Sequence, residues 1–128
     1  MVDLEKLYYD AFDIYNAGNV ISAVKQWKKA ALQGHASSMN ILGVVCEERD
    51  YDNAVAYYRL AARLGEPCAM NNLARLYYDR KNYKKAVKWW MASADLGGLD
   101  NIDEKDVQEM RKFADAEGAG SLDLNSLR

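Results

Sequence analysis

The chain holds a single proline, a single histidine, two cysteines and two phenylalanines in 128 residues. Each scarcity excludes something. One proline and eight glycines leave little material for a loop-rich β fold, whose turns demand both residues. One histidine rules out histidine-pair zinc sites and argues against a Cys/His/Asp triad. Cys46 and Cys68, 22 residues apart, form neither a disulfide framework nor a C-x-x-C pair. No apolar run approaches the roughly 18 residues of a membrane span. MVDLEKLYYDAFDIY lacks the basic and apolar regions of a secretory signal, so the expected setting is cytoplasmic and reducing. Charge of one sign is missing too. With 17 Lys and Arg against 19 Asp and Glu the net charge is −2, too little to gather nucleic acid or an acidic membrane by field alone.

What the chain does have is an echo. AVKQWKKAALQGH (23–35) returns as AVAYYRLAARLGE (54–66) and AVKWWMASADLGG (86–98). The starting alanines Ala23, Ala54 and Ala86 are separated by 31 and 32 residues, and so are the closing glycines Gly34, Gly65 and Gly97. A second phrase lies between the echoes: SMNILGVVCEERDYDNA (38–54) matches AMNNLARLYYDRKNYKKA (69–86), with one extra residue near Lys81. A worn copy, AFDIYNAGNVISA, occupies 11–23. Self-similarity at a period of 20–50 residues marks stacked supersecondary units. Met70, Leu73, Ala74 and Tyr77 fall at i, i+3, i+4, i+7, one helical face, as do Ala54, Tyr57, Tyr58, Ala61 and Ala62. The glycines sit where a left-handed residue ends a helix, and Pro67 falls near the first turn of the next. Each unit reads as a helix, a tight turn and a second helix. Ala30/Ala31, Ala61/Ala62 and Ser93/Ala94 would let backbones approach closely, with Trp27, Tyr58 and Trp90 filling the wider gaps between pairs.

These residues resemble the Sel-1-like repeats, α/α solenoid relatives of the tetratricopeptide repeat. The match runs through Met39, Leu42 and Gly43, and again through Leu73, Ala74 and Tyr77, in first helices. In second helices it runs through Ala54, Tyr57, Tyr58, Ala61, Ala62 and Gly65, through Ala86, Trp89, Trp90, Ala94 and Gly97, and through Ala23, Trp27, Ala30, Ala31 and Gly34. The resemblance covers roughly residues 5–98. The charged turns EERDYDN and DRKNYKK depart from the glycine-rich Sel-1-like turn toward the tetratricopeptide style, and Cys46 stands at the tyrosine position. The implied fold is all-α: an α/α solenoid of about three helix-turn-helix repeats with a C-terminal capping helix beginning after Asp103. That domain would span 1–116, followed by a flexible tail at 117–128.

The resemblance further implies that the first helix of each pair lines a concave groove. Its inward positions here are Tyr9, Asp13 and Asn16, then Asn40, Val44, Glu47 and Glu48, then Asn71, Arg75, Tyr78 and Asp79. Asn40 and Asn71 occupy equivalent places and have the donors and acceptors to hold an extended peptide backbone. The expected function is a protein–protein interaction module, an adaptor, scaffold or inhibitor that binds a protein or peptide as a monomer or weak homodimer. It would use no cofactor, no metal and no membrane. A narrower version is a bacterial immunity or antitoxin-like protein that neutralises a toxin enzyme.

Catalysis finds little support. G-x-x-x-x-G-K-[ST], G-x-G-x-x-G and G-x-S-x-G are all missing. His35 is expected as a surface residue favoured by a helix C-terminus. Cys46 reads as a small core residue and Cys68 as a thiol near a helix start, both buried and structural. Glu47/Glu48 and Asp50/Asp52 read as a solvated turn. Arg80, Lys81, Lys84, Lys85 and Lys88, interleaved with Tyr83, Trp89 and Trp90, offer an RNA- or anion-binding alternative. The aromatics fall on packing positions, however, which makes a nucleic-acid partner the weaker expectation.

Overall fold

A computed structural model describes residues 2–96 and Lys112. The expected capping helix after Asp103, the tail at 117–128 and the third glycine stop, Gly97, lie outside these residues. Among the described residues the fold is all-helical: α1 (Leu4–Asn16), α2 (Val20–Leu32), α3 (Ala36–Cys46), α4 (Tyr51–Arg63), α5 (Pro67–Asp79) and α6 (Tyr83–Asp95). The chain divides into two compact units, Met1–Ala61 and Ala62–Arg128.

The short connections follow from one device. Asn19 N–H reaches back to Ile14 C=O (3.1 Å), and Gly18 N–H to Tyr15 C=O (3.0 Å). The same pair of bonds closes α2, from His35 to Ala30 and from Gly34 to Ala31. This is the Schellman arrangement, which satisfies carbonyls the helix leaves open. It needs a left-handed residue, and Gly18, Gly34 and Gly65 supply φ of +92°, +89° and +88°. The residue after each of these glycines starts the next helix as its N-cap, so no loop intervenes: Asn19, His35 and Glu66 hold those positions. Pro67, lacking an N–H to lose, is the first residue of α5.

The turn between α5 and α6 copies this geometry without glycine. Asn82 N–H bonds Tyr77 C=O (2.8 Å), Lys81 N–H bonds Tyr78 C=O (2.9 Å), and Lys81 carries φ +62°. Lys81 is the extra residue that lengthens the second interval. The α3–α4 turn lacks it: Asp50 N–H bonds Cys46 C=O directly, and Asp50 accepts the N–H of Asn53. A side chain with a Cβ in the left-handed region costs roughly 1 kcal/mol against glycine. Lys81→Gly is therefore expected to raise stability by about 0.5–1 kcal/mol, read as a higher urea midpoint with unchanged slope.

In the first unit α1 packs on α2 and α2 on α3. Their core is Ala11, Ala23, Trp27 and Leu42, with Tyr8, Phe12, Ile14, Val24, Ile41 and Tyr57 among the side chains packed around it. In the second unit α5 packs on α6, burying Met70, Leu73, Ala74, Trp89 and Met91. One arrangement recurs in the first two pairs, a small residue of the first helix beside a large aromatic of the second: Ala11 shares a core with Trp27, and Gly43 lies against the Tyr58 ring. Trp27 gives its indole N–H to Tyr8 C=O (3.1 Å). Tyr58 gives its hydroxyl to Glu47 Oε2 (2.7 Å), and Trp90 gives its indole N–H to Asn71 Oδ1 (2.9 Å). These hydrogen bonds run within their own helix pairs, while Trp27 also shares a core with Leu42 of α3, in the next pair. They reach back to the helix that precedes them because the short turn sets the two helices side by side. Trp90 is also only half-buried, and its neighbour Trp89 is the buried one.

Candidate functional site

The left-handed residues fix a register that the sequence pattern left loose. Aligning Gly18 with Lys81 pairs Tyr8, Phe12, Tyr15 and Asn16 of α1 with Asn71, Arg75, Tyr78 and Asp79 of α5. Asn40, Val44, Glu47 and Glu48 are the counterparts around α3. Tyr9 and Asp13 lie one position off this stripe, and Asn16 lies on it. Gly18, one place before a capping asparagine, was the signal that would have placed Tyr8, Phe12 and Tyr15.

The candidate residues are on the surface. Tyr9 (62% exposed), Val44 and Tyr78 (48%) are exposed apolar side chains. Asp13, Asn16, Arg75 and Asp79 are exposed, while Asn40, Glu47 and Asn71 are half-buried. Two of the half-buried ones are committed inside their helix pairs. Asn71 holds Trp90 through its amide oxygen, and Glu47 holds Tyr58.

Tyrosine recurs in the last turn of the first helix with nearly the same packing. Tyr15 tilts against Trp27 (5.8 Å, 44°) and Tyr78 against Trp90 (5.5 Å, 49°). Tyr78 also meets Tyr83 edge-on at 5.2 Å. Each exposed tyrosine is therefore held from behind by a tryptophan, which limits the rotamer freedom it would lose on binding. Arg75 approaches Asp79 at 3.9 Å one turn on, both half-exposed, a solvated pair that contributes little to stability.

His35 departs from expectation. It does not sit on the surface at a helix C-terminus; it is the N-cap of α3, because the residue after a Schellman glycine becomes the first of the next helix. Its side chain is 11% exposed. Nδ1 accepts the N–H of Ser38 (3.3 Å) and lies 2.7 Å from Ser38 Oγ, while Nε2 meets Glu5 Oε1 at 2.5 Å. Ser38, His35 and Glu5 have the types of a hydrolytic triad. Ser38, however, has no exposed surface, so no substrate carbonyl can reach its hydroxyl. The arrangement caps α3 and ties it to α1.

The cysteines also correct the sequence reading. Cys68 is exposed, not buried, and Cys46 is half-buried. Burial pushes the Cys46 thiol up, helped by the charge of Asp50. The Cys68 thiol is pushed up as well, first by burial and then by the Glu66 carboxylate beside it. A helix start would lower a thiol pKa, and here burial together with the capping glutamate reverses that. With the folded value raised, the neutral thiol contributes fully below the ordinary thiol range, and the contribution fades as pH climbs through it. Iodoacetamide at pH 8 is expected to label Cys68 more slowly than free cysteine despite its exposure. Glu66→Gln, which keeps a capping oxygen, should speed the labelling; an unchanged rate would remove Glu66 as a cause. Among the described residues no cluster of His, Cys, Asp and Glu could hold a metal ion. None of their helices is long and apolar enough to cross a membrane.

No family model matches the chain. It is similar to an F-box protein of Arabidopsis thaliana, 35% identical over 82 residues. That similarity covers 62% of this chain and 23% of the relative, so the chain spans under a quarter of the relative's length.

Proposed function

We propose that the chain is a protein-interaction module of the Sel-1-like or tetratricopeptide-like kind, a short α/α solenoid that binds a protein or peptide through the exposed faces of its first helices. The observation that carries this reading is the pair of exposed tyrosines, Tyr15 and Tyr78, each backed by a tryptophan at the same place in its repeat. Exposed side chains with low entropy to lose, flanked by Arg75, Asp79 and Asn16, are of the type that dominates binding energy at interfaces. The recurrent small-to-aromatic contacts, by contrast, are internal and have nothing to offer a ligand. The similarity to an F-box protein supports a protein-binding role from a separate direction. On this reading the chain performs no catalysis and uses no cofactor.

The test starts with peptides selected from a random display library against the intact chain. Arg75→Ala combined with Tyr78→Ala should weaken the selected peptides at least tenfold, with helicity retained. Undiminished binding by the double variant would move the site off α5.

A further inference from the structure

Five cations fall within nine residues at one end of the α5–α6 pair: Arg80, Lys81, Lys84, Lys85 and Lys88. Residues 62–96 carry seven Lys and Arg against three Asp and Glu, inside a chain of net charge −2. Lys84 and Lys88 lie one turn apart on α6, and Lys81 projects from the turn just before it. Lys81, Lys84 and Lys88 make no ion pair among the described residues, and the first turn of α6 contains no acid. Lysines there oppose the helix dipole, so α6 loses stability by carrying them. Lys85 is placed differently, over the Tyr77 ring at 5.4 Å.

We infer that this stripe is a second binding surface, separate from the first-helix faces, and that it takes an acidic peptide segment with carboxylates at alternate positions. The spacing selects the ligand. Residues four apart on a helix are about 6 Å apart along its axis. Residues two apart in an extended chain are about 6.6 Å apart, so Glu-x-Glu or Asp-x-Asp places one carboxylate at Lys84 and the next at Lys88. Lys81 extends the row for a third. The surroundings disfavour single-stranded RNA, which needs open aromatic faces for its bases. Here Tyr77 lies under Lys85, Trp89 is buried, and Trp90 and Tyr83 both pack against Tyr78. The inference rests on the chain being a protein-binding module, but it uses other residues.

The probe is a fluorescein-labelled Gly-Glu-Ser-Glu-Ser-Glu-Gly peptide titrated with the full chain by anisotropy, beside its glutamine analogue and a six-nucleotide uridine RNA. Saturable binding of the acidic peptide alone is expected, weakening several-fold between 50 and 300 mM salt. Lys84→Glu with Lys88→Glu should weaken it tenfold or more with the melting temperature no lower than that of the parent chain. Arg75→Ala with Tyr78→Ala should leave it intact, which separates failure of this surface from failure of the first-helix site. No saturable binding, equal binding by the charge-reversed variant, or RNA bound as tightly as peptide would each overturn the inference. So would a change of oligomeric state on charge reversal, which would assign the stripe to a second copy of the chain.

Discussion

Trp27→Ala is expected to lower the unfolding free energy by about 3–5 kcal/mol, the range for deleting a large aromatic from a closed core. The side chain is 1% exposed. It meets Phe12 edge-on at 5.0 Å and Tyr15 at 5.8 Å, and it packs with Ala11, Ala23 and Leu42. Alanine would leave a cavity that the three surrounding helices cannot all close, and the Tyr8 carbonyl would lose its indole donor. Trp27→Phe should lose less, because it keeps most of the packing and gives up the hydrogen bond, which is worth about 1 kcal/mol. Urea unfolding followed by circular dichroism separates the two. The equivalent Trp90→Ala should cost less than Trp27→Ala, since Trp90 is half-exposed. A loss under about 1 kcal/mol for Trp27→Ala would mean the first helix pair is not held by its aromatic filler.

Gly43→Ala should be destabilising by about 1–3 kcal/mol, although glycine to alanine inside a helix ordinarily gains close to 1 kcal/mol. The sign is decided by Tyr58. A Cβ on Gly43 would stand 2.5, 2.6 and 2.9 Å from Cε1, Cδ1 and Cζ of that ring. The ring cannot step aside, being fully buried and anchored through its hydroxyl to Glu47. Ala11, the counterpart of Gly43 in α1, already carries a Cβ in the core it shares with Trp27, so the tight approach belongs to Tyr58. If the contact is the cause, Tyr58→Leu should absorb the new methyl, and the double variant should be less destabilised than the two singles predict. Additive losses would place the cost elsewhere.

The helices were legible because two independent signals agreed. Apolar spacing gave the faces, and Gly34 and Gly65 gave the stops that the backbone then shows in left-handed conformation. Lys81 was legible only as an extra residue; that it would adopt the glycine conformation follows from its place in a Schellman turn, which composition does not announce. His35 was misplaced for a related reason. Gly34 marks the end of one helix in the sequence, and in the structure the residue after it is at once the cap of the next. The aromatics fall on packing faces as expected, but periodicity gives a face and not the partner facing it, so the hydrogen bonds of Trp27, Tyr58 and Trp90 to their own first helices were not legible. The exposed residues of the candidate site were visible as the leftover positions of the first helices. Their register in α1 slipped by one because the worn first copy has few matching residues to anchor it, and only the turn at Gly18 sets it right.

Backbone amide mapping by NMR, with a display-selected peptide titrated into the isotope-labelled chain, tests the central claim most directly. The account predicts that the largest shifts fall on the exposed first-helix residues, above all Val44, Arg75, Tyr78 and Asp79, while the outward residues of α2 and α4 stay still. Shifts concentrated on α2 and α4, with those first-helix positions unmoved, would contradict it.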